Sequence, residues 1–118
     1  MIRLMRCVRR RKDIQPEEFR RYWSAADYDN LLGQINEATQ AVSYRKNLTL
    51  RIDINKRIID SFGMEDPFDG IIEVFWQDGN ALQAWVETPE GKQQRQSLID
   101  YESQFVDHSK SRFFFTEA

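Results

Sequence analysis

The sequence predicts an α+β domain in which four strands form one antiparallel sheet and two helical regions cover a single face. Three observations lead there. Residues 71–77 are dense in β-branched and aromatic side chains, which marks a strand. Residues 16–39 carry Phe19, Tyr22, Trp23 and Ala26 at i, i+3, i+4 and i+7, the stripe of an amphipathic helix. The elements then recur in two halves of similar plan, so the order reads β-α-β-β-α-β, the ferredoxin-like split βαβ arrangement.

The elements follow in order. Residues 2–10 alternate, with Ile2, Leu4 and Val8 on one side and Met5 and Cys7 on the other. Both faces carry apolar groups, as in a strand covered on two sides. Arg6 falls in the first set, so a charge points where apolar groups point. In the helix over 16–39, Pro16 suits the first position, and Glu17 and Glu18 favour the positive end of the dipole. Gln15 is a weaker cap than Ser or Thr. The polar stretch Asp27 to Asn30 predicts a break, after which Leu31, Ile35 and Ala38 resume the stripe. Residues 41–52 alternate as a strand, with Val42, Tyr44, Leu48, Leu50 and Ile52 on one face. Residues 53–69 form a long connection with a short helical turn at Ile58, Ile59 and Phe62, ended by Gly63. After the strand at 71–77, Leu82, Trp85 and Val86 mark a helical piece that Thr88-Pro89 interrupts. Leu98, Tyr101 and Phe105 mark a helix over 90–106, and Phe113 to Phe115 lie in the last strand over 109–117. Trp76 and Trp85 read as core.

Composition bounds the function. The 118 residues amount to one domain. A net charge of −2 supplies no global field toward nucleic acid or an anionic membrane, and neither is expected as a partner. The basic run Arg6, Arg9, Arg10, Arg11 and Lys12 reads as the solvated end of a strand, since too few cations elsewhere extend it into a stripe. Cys7 is the only cysteine, which leaves no internal disulfide and no cysteine-based zinc site and fits a cytoplasmic location. No secretory leader is expected, because Arg3 and Arg6 interrupt the N-terminal apolar residues. No apolar run approaches the ~20 residues that span a bilayer. A sheet with helices on one side leaves its other face, rich in aromatic residues, in need of cover, so a homodimer is expected.

Arg9-Arg10-Arg11, a short turn and Pro16-Glu17-Glu18-Phe19-Arg20-Arg21-Tyr22-Trp23 resemble the N-terminal signature of EthD-like proteins. Phe105-Val106-Asp107-His108-Ser109 before the last strand, with Thr116-Glu117 at its end, resembles the family's close. In element order the resemblance covers nearly the whole chain. It implies a dimeric α/β barrel and a role in small-molecule metabolism. Members are associated with ether degradation. Similar fungal proteins act as dehydratases or decarboxylases on aromatic polyketide intermediates. More distant dimeric-barrel relatives are monooxygenases and cyclases, often without a cofactor. Members usually carry a His four residues after the motif Trp, followed by Gly/Ala-Pro-Leu; here that position is Asp27, and Tyr28-Asp29-Asn30 replaces the stretch.

Several side chains are candidates for chemistry. Asp27 serves as a general base if a pocket beside Tyr22 and Trp23 raises its pKa; otherwise it is a helix-break residue. His108, the only histidine, is an acid–base candidate at the entrance to the last strand. Glu73 stands alone in an apolar strand and is expected to point into the space between two facing sheets. There it is either a catalytic carboxylate or the partner of Arg6, Arg45 or Arg112, and such a pair also orients a polar substrate. Tyr44 offers a hydrogen-bond donor to a substrate carbonyl. With one His and no carboxylate cluster at ligand spacing, no metal is expected. The absence of a phosphate loop, a nucleophile elbow and a dinucleotide fingerprint leaves no cofactor expected. The function expected is a cofactor-free lyase-, dehydratase- or oxygenase-like enzyme with a pocket for a small aromatic or apolar substrate. The alternative is a non-catalytic carrier with the same pocket.

Overall fold

In the computed structural model, which describes all 118 residues, strands β1 (Ile2–Val8), β2 (Ser43–Leu48), β3 (Gly70–Trp76) and β4 (Arg112–Glu117) form one sheet in the order β2-β3-β1-β4. Every neighbouring pair is antiparallel. This is the ferredoxin-like arrangement, with β3 inserted between the two strands of the first half. The two-residue period sorts each strand. Ile72, Val74 and Trp76 are buried on one face of β3, and Ile71, Glu73 and Phe75 therefore lie on the other. The register sets Leu4 opposite Val74 and Arg6 opposite both Ile72 and Phe113. Arg6 thus lies on the buried face with Leu4 and Val8.

Helices α1 (Pro16–Trp23), α2 (Ala26–Ala38), α3 (Asp53–Phe62), α4 (Asn80–Glu87) and α5 (Pro89–Glu102) complete the chain, with a 3-10 turn at His108–Lys110. The break in the first helical region falls at Ser24 and Ala25, not at Asp27 to Asn30. Asp27 and Asp29 instead occupy the first turn of α2, where carboxylates suit the helix dipole. Restarting the helix shifts its phase, so Tyr28 and Leu32 are the buried residues of α2 in place of Leu31, Ile35 and Ala38. Thr88 caps α5 by accepting the Gly91 N–H at 2.9 Å. That helix ends at Glu102, so Phe105 is buried from the turn beyond it.

Strand β2 stops at Leu48, which pairs with Gly70 at the start of β3. Leu50 and Ile52 lie beyond this last pair and are exposed. The connection after them is a ten-residue helix rather than a short turn. Gly63 ends it in the left-handed conformation, φ 65°, that glycine adopts without strain.

The core packs Leu4, Val8, Ile72, Val74 and Trp76 of the sheet against Phe19, Trp23, Tyr28, Leu32 and Phe105. Trp85 is only partly buried. The Cα radius of gyration is 15.3 Å, against about 13.5 Å for a compact chain of this length. No residue of α3 is buried. No helix is long and apolar enough to cross a membrane.

Candidate active site

Two charges face each other across the helix–sheet interface. Arg6 lies on the buried face of β1, and Glu102 is the last residue of α5, 1% exposed. The Arg6 guanidinium donates from both terminal nitrogens to the Glu102 carboxylate, at 2.8 and 2.6 Å. Tyr28 Oη donates to Glu102 Oε2 at 2.6 Å. His108 Nε2 lies 3.0 Å from Glu102 Oε1, with its side chain 38% exposed. One buried carboxylate thus collects an arginine, a tyrosine and the only histidine.

Burial alone would raise the Glu102 pKa. The hydrogen bond from His108, then the charge and hydrogen bonds of Arg6 and the Tyr28 hydroxyl, overcome that cost and hold the pKa at about 2. Burial, followed by the Glu102 charge, pushes the Tyr28 hydroxyl well above its ordinary value, so it stays a donor. Burial works against the Arg6 charge, but Glu102 outweighs it and the guanidinium stays protonated. An ionised carboxylate only accepts hydrogen bonds. His108 therefore donates from Nε2, and in the neutral ring the free lone pair sits on Nδ1.

Aromatic rings wall this cluster. Tyr28 stacks on Tyr101, with centroids 5.3 Å apart, and meets Phe105 edge-on at 5.3 Å. Tyr22 stacks on Phe105 at 5.2 Å. The Tyr101 hydroxyl donates to the Tyr22 carbonyl at 2.8 Å, and burial raises its pKa. His108 lies at the edge of an open groove of about 440 Å³ lined by Arg11, Lys12, Asp13 and Ser103.

The other candidates fall in separate places. Asp27 is exposed on the first turn of α2, not in a pocket beside Trp23. Trp23 is a core residue stacked on Phe19 at 5.5 Å, and Tyr22 is half-buried. Tyr44 lies opposite Val74 on the helix-facing side, where burial raises its hydroxyl pKa. Glu73 lies on the open face, in register between Arg45 of β2 and Met5 of β1. Arg112 shares that face farther along β4, while Arg6 points the opposite way and serves Glu102 instead of Glu73. Nor is the basic run a uniform solvated end. Arg9 lies over the Phe68 ring at 4.4 Å and donates to the Pro67 carbonyl at 2.7 Å. The buried Asp69 accepts the Arg10 backbone N–H at 2.7 Å and pairs with Arg51. These arginines tie the ends of β1 and β2 to the turn before β3.

Glu102 and Tyr28 escaped the sequence reading, although a signal existed. Glu102 follows Leu98 by four residues and so lies on the apolar stripe of its helix. Arg6 occupies an apolar set in β1. Two unpaired charges on surfaces that must pack together call for each other.

Residues 11–109 match the model of the EthD domain. The chain belongs to the EthD family. No curated protein matches the sequence. Among solved structures, an ethyl tert-butyl ether D (EthD) family protein from Bacillus halodurans C-125 is similar at TM-score 0.62 and 14% identity, over 100% of this chain and 98% of that one. A dimeric protein of unknown function and ferredoxin-like fold from Bacteroides fragilis NCTC 9343 is similar at TM-score 0.62 and 7% identity, over 99% and 95%. HapK from Hahella chejuensis is similar at TM-score 0.61 and 14% identity, over 100% and 92%. At these identities the likeness shows the ferredoxin-like fold alone. The EthD match spans α1, α2, α5 and His108, so every residue of the Glu102 cluster except Arg6 lies inside it.

Proposed function

We propose that this EthD protein is a homodimeric, cofactor-free acid–base enzyme of small-molecule metabolism, working in the cytoplasm, with His108 as the proton carrier. The observation that carries the reading is the buried, ionised Glu102 bonded to Nε2 of a partly exposed histidine. A base held by a third group in one tautomer is the arrangement general-base catalysis needs. Arg6 and Tyr28 hold Glu102, and Glu102 holds the ring with Nδ1 free.

The chemistry is of the lyase type. Nδ1 takes the proton from a C–H beside a carbonyl of a small aromatic or apolar substrate. The electron pair moves into the carbonyl as an enolate, and Lys12 along the groove favours that negative charge. Glu102 stabilises the imidazolium that forms. The proton then passes to a β-hydroxyl, which leaves as water while the enolate electrons form the new double bond. Arg45 and Arg112 share the open face with Glu73, on the other side of the sheet from His108 and Glu102. That face also carries Met5, Ile71, Phe75 and Phe114, and packing it against a second copy would cover it. The dimeric state named for the similar Bacteroides protein favours this. A non-catalytic carrier is the second reading, favoured by Asp27, exposed where relatives usually carry a His.

The test is deuterium uptake. The protein is incubated in heavy water with a panel of small β-hydroxy aromatic ketones, and mass spectrometry follows deuterium gain and water loss. The wild type is expected to promote one or both, and His108→Asn to abolish them while circular dichroism shows the fold retained. Full activity in His108→Asn would overturn the assignment, and binding without exchange or water loss would favour the carrier.

A further inference from the structure

Helix α3 has an apolar stripe that its own chain leaves largely exposed. Ile54, Ile58 and Phe62 recur at four-residue spacing and are 52%, 50% and 70% exposed. Leu50 and Ile52 before the helix and Met64 after it are exposed as well. Helices this short are marginal alone in water, and packing of the apolar face normally supplies their stability. A second uncovered apolar surface lies at the opposite edge of the sheet. Phe113, Phe114 and Phe115 of β4 are all exposed, although their strand is fully paired along one side with β1.

The register relates these two surfaces. Leu48, the last residue of β2, pairs with Gly70, which pairs with Val8. Arg112, the first residue of β4, pairs with Cys7. The end of β2 and the start of β4 therefore lie at the same end of the sheet, on opposite edges. A twofold axis parallel to the strands, between two facing sheets, exchanges the edges and keeps the ends. It carries the end of one copy's β2, and with it α3, to the start of the other copy's β4.

We propose that α3 is a dimerisation arm whose Ile54, Ile58 and Phe62 stripe packs along the free edge of β4 in a second copy, against Phe113 and Phe114. The inference rests on the homodimer of the preceding subsection and adds where the arms go. Twofold symmetry makes the contact twice, each arm meeting the same surface. Arm and edge together add several hundred Å² per copy to the sheet contact, toward the ~800 Å² per partner of a standard interface. The occupant is a second copy because one chain carries both surfaces, at positions a single twofold axis superposes.

The experiment compares wild type, Ile58→Asp/Phe62→Asp and Phe113→Asp by sedimentation equilibrium over a micromolar range. Circular dichroism and tryptophan fluorescence check that the core is retained. Each variant is expected to weaken the dimer by about tenfold or more, about 1.4 kcal/mol, while Trp23 and Trp76 keep their buried emission. In a Cys7→Ser background, Ile58→Cys chains mixed with Phe113→Cys chains should give disulfide-linked dimers on mild oxidation. An arm variant that dimerises like the wild type, or no cross-link between mixed chains, would overturn the arm and leave the face-to-face homodimer standing. A monomeric wild type would overturn both.

Discussion

Replacing Arg6 by Met tests the buried cluster directly. Methionine keeps an unbranched apolar side chain in place of the guanidinium, and Glu102 at 1% exposure loses two charged donors at 2.8 and 2.6 Å. Removing one partner of a buried ion pair costs about 3–5 kcal/mol, because the remaining charge is stranded. In a domain of this size each kcal/mol moves the melting temperature by about 3–5 °C, so a fall of roughly 10–25 °C is expected at pH 7. The variant should also respond to acid in the opposite sense. Without Arg6, burial raises the Glu102 pKa, so mild acid neutralises the stranded carboxylate and relieves part of the loss between pH 7 and 5. A second change, Glu102→Met, should restore part of the stability, since an apolar pair of similar volume serves about as well as a buried ion pair while the buried Tyr28 hydroxyl loses its acceptor. Urea denaturation at fixed protein concentration measures all three chains at both pH values. A cost under about 1 kcal/mol for Arg6→Met, or a double variant no better than the single one, would refute the coupling.

In the wild type the folded Glu102 pKa of about 2 lies below its ordinary 4.5. The stability it contributes is present above the unfolded value and lost as pH falls toward 2, a decline on the order of 3 kcal/mol that acid titration of the urea midpoint would show. Trp23→Ala should cost about 3–5 kcal/mol in the same assay by opening a cavity beside Phe19 and Tyr28. Gly70→Ala should cost about 1–3 kcal/mol, because a Cβ there would stand 2.4 Å from the Trp23 ring. Glu73→Gln should leave the melting temperature unchanged, since Glu73 is on the open face, yet reduce any small molecule that co-purifies, as seen by native mass spectrometry.

The sheet was legible because its signals are local. Period-two alternation in β1 and β3 assigned faces that the register reproduces, including Arg6 on the apolar side and Glu73 on the open one. Polarity alone marks a helix break at Asp27 to Asn30, past the observed one at Ser24 and Ala25. Asp27 and Asp29 face solvent at a helix start, and the buried Tyr28 between them broke the apparent phase. The alternation predicts too long a β2 because Leu50 and Ile52 continue it, although no partner strand extends past Gly70. Their exposure, with that of α3, belongs to a surface that the isolated chain does not cover. The candidate site was legible only in part. His108 stood out as the lone histidine, but its link to Glu102 depends on where α5 ends and on a 3-10 turn that brings the ring back to it. Pairwise contacts across the core are not written in local spacing. Two misplaced charges, Arg6 and Glu102, were the readable trace of this one.

The most direct test of the acid–base reading is the protonation pattern of the single imidazole. Long-range proton–nitrogen NMR on uniformly labelled protein gives one histidine spin system above the ring's titration. A neutral ring protonated on Nε2, with Nδ1 bare, is expected, together with loss of that preference in Glu102→Met, which removes the acceptor. A ring protonated on Nδ1, or one averaging freely between tautomers in the wild type, would contradict it.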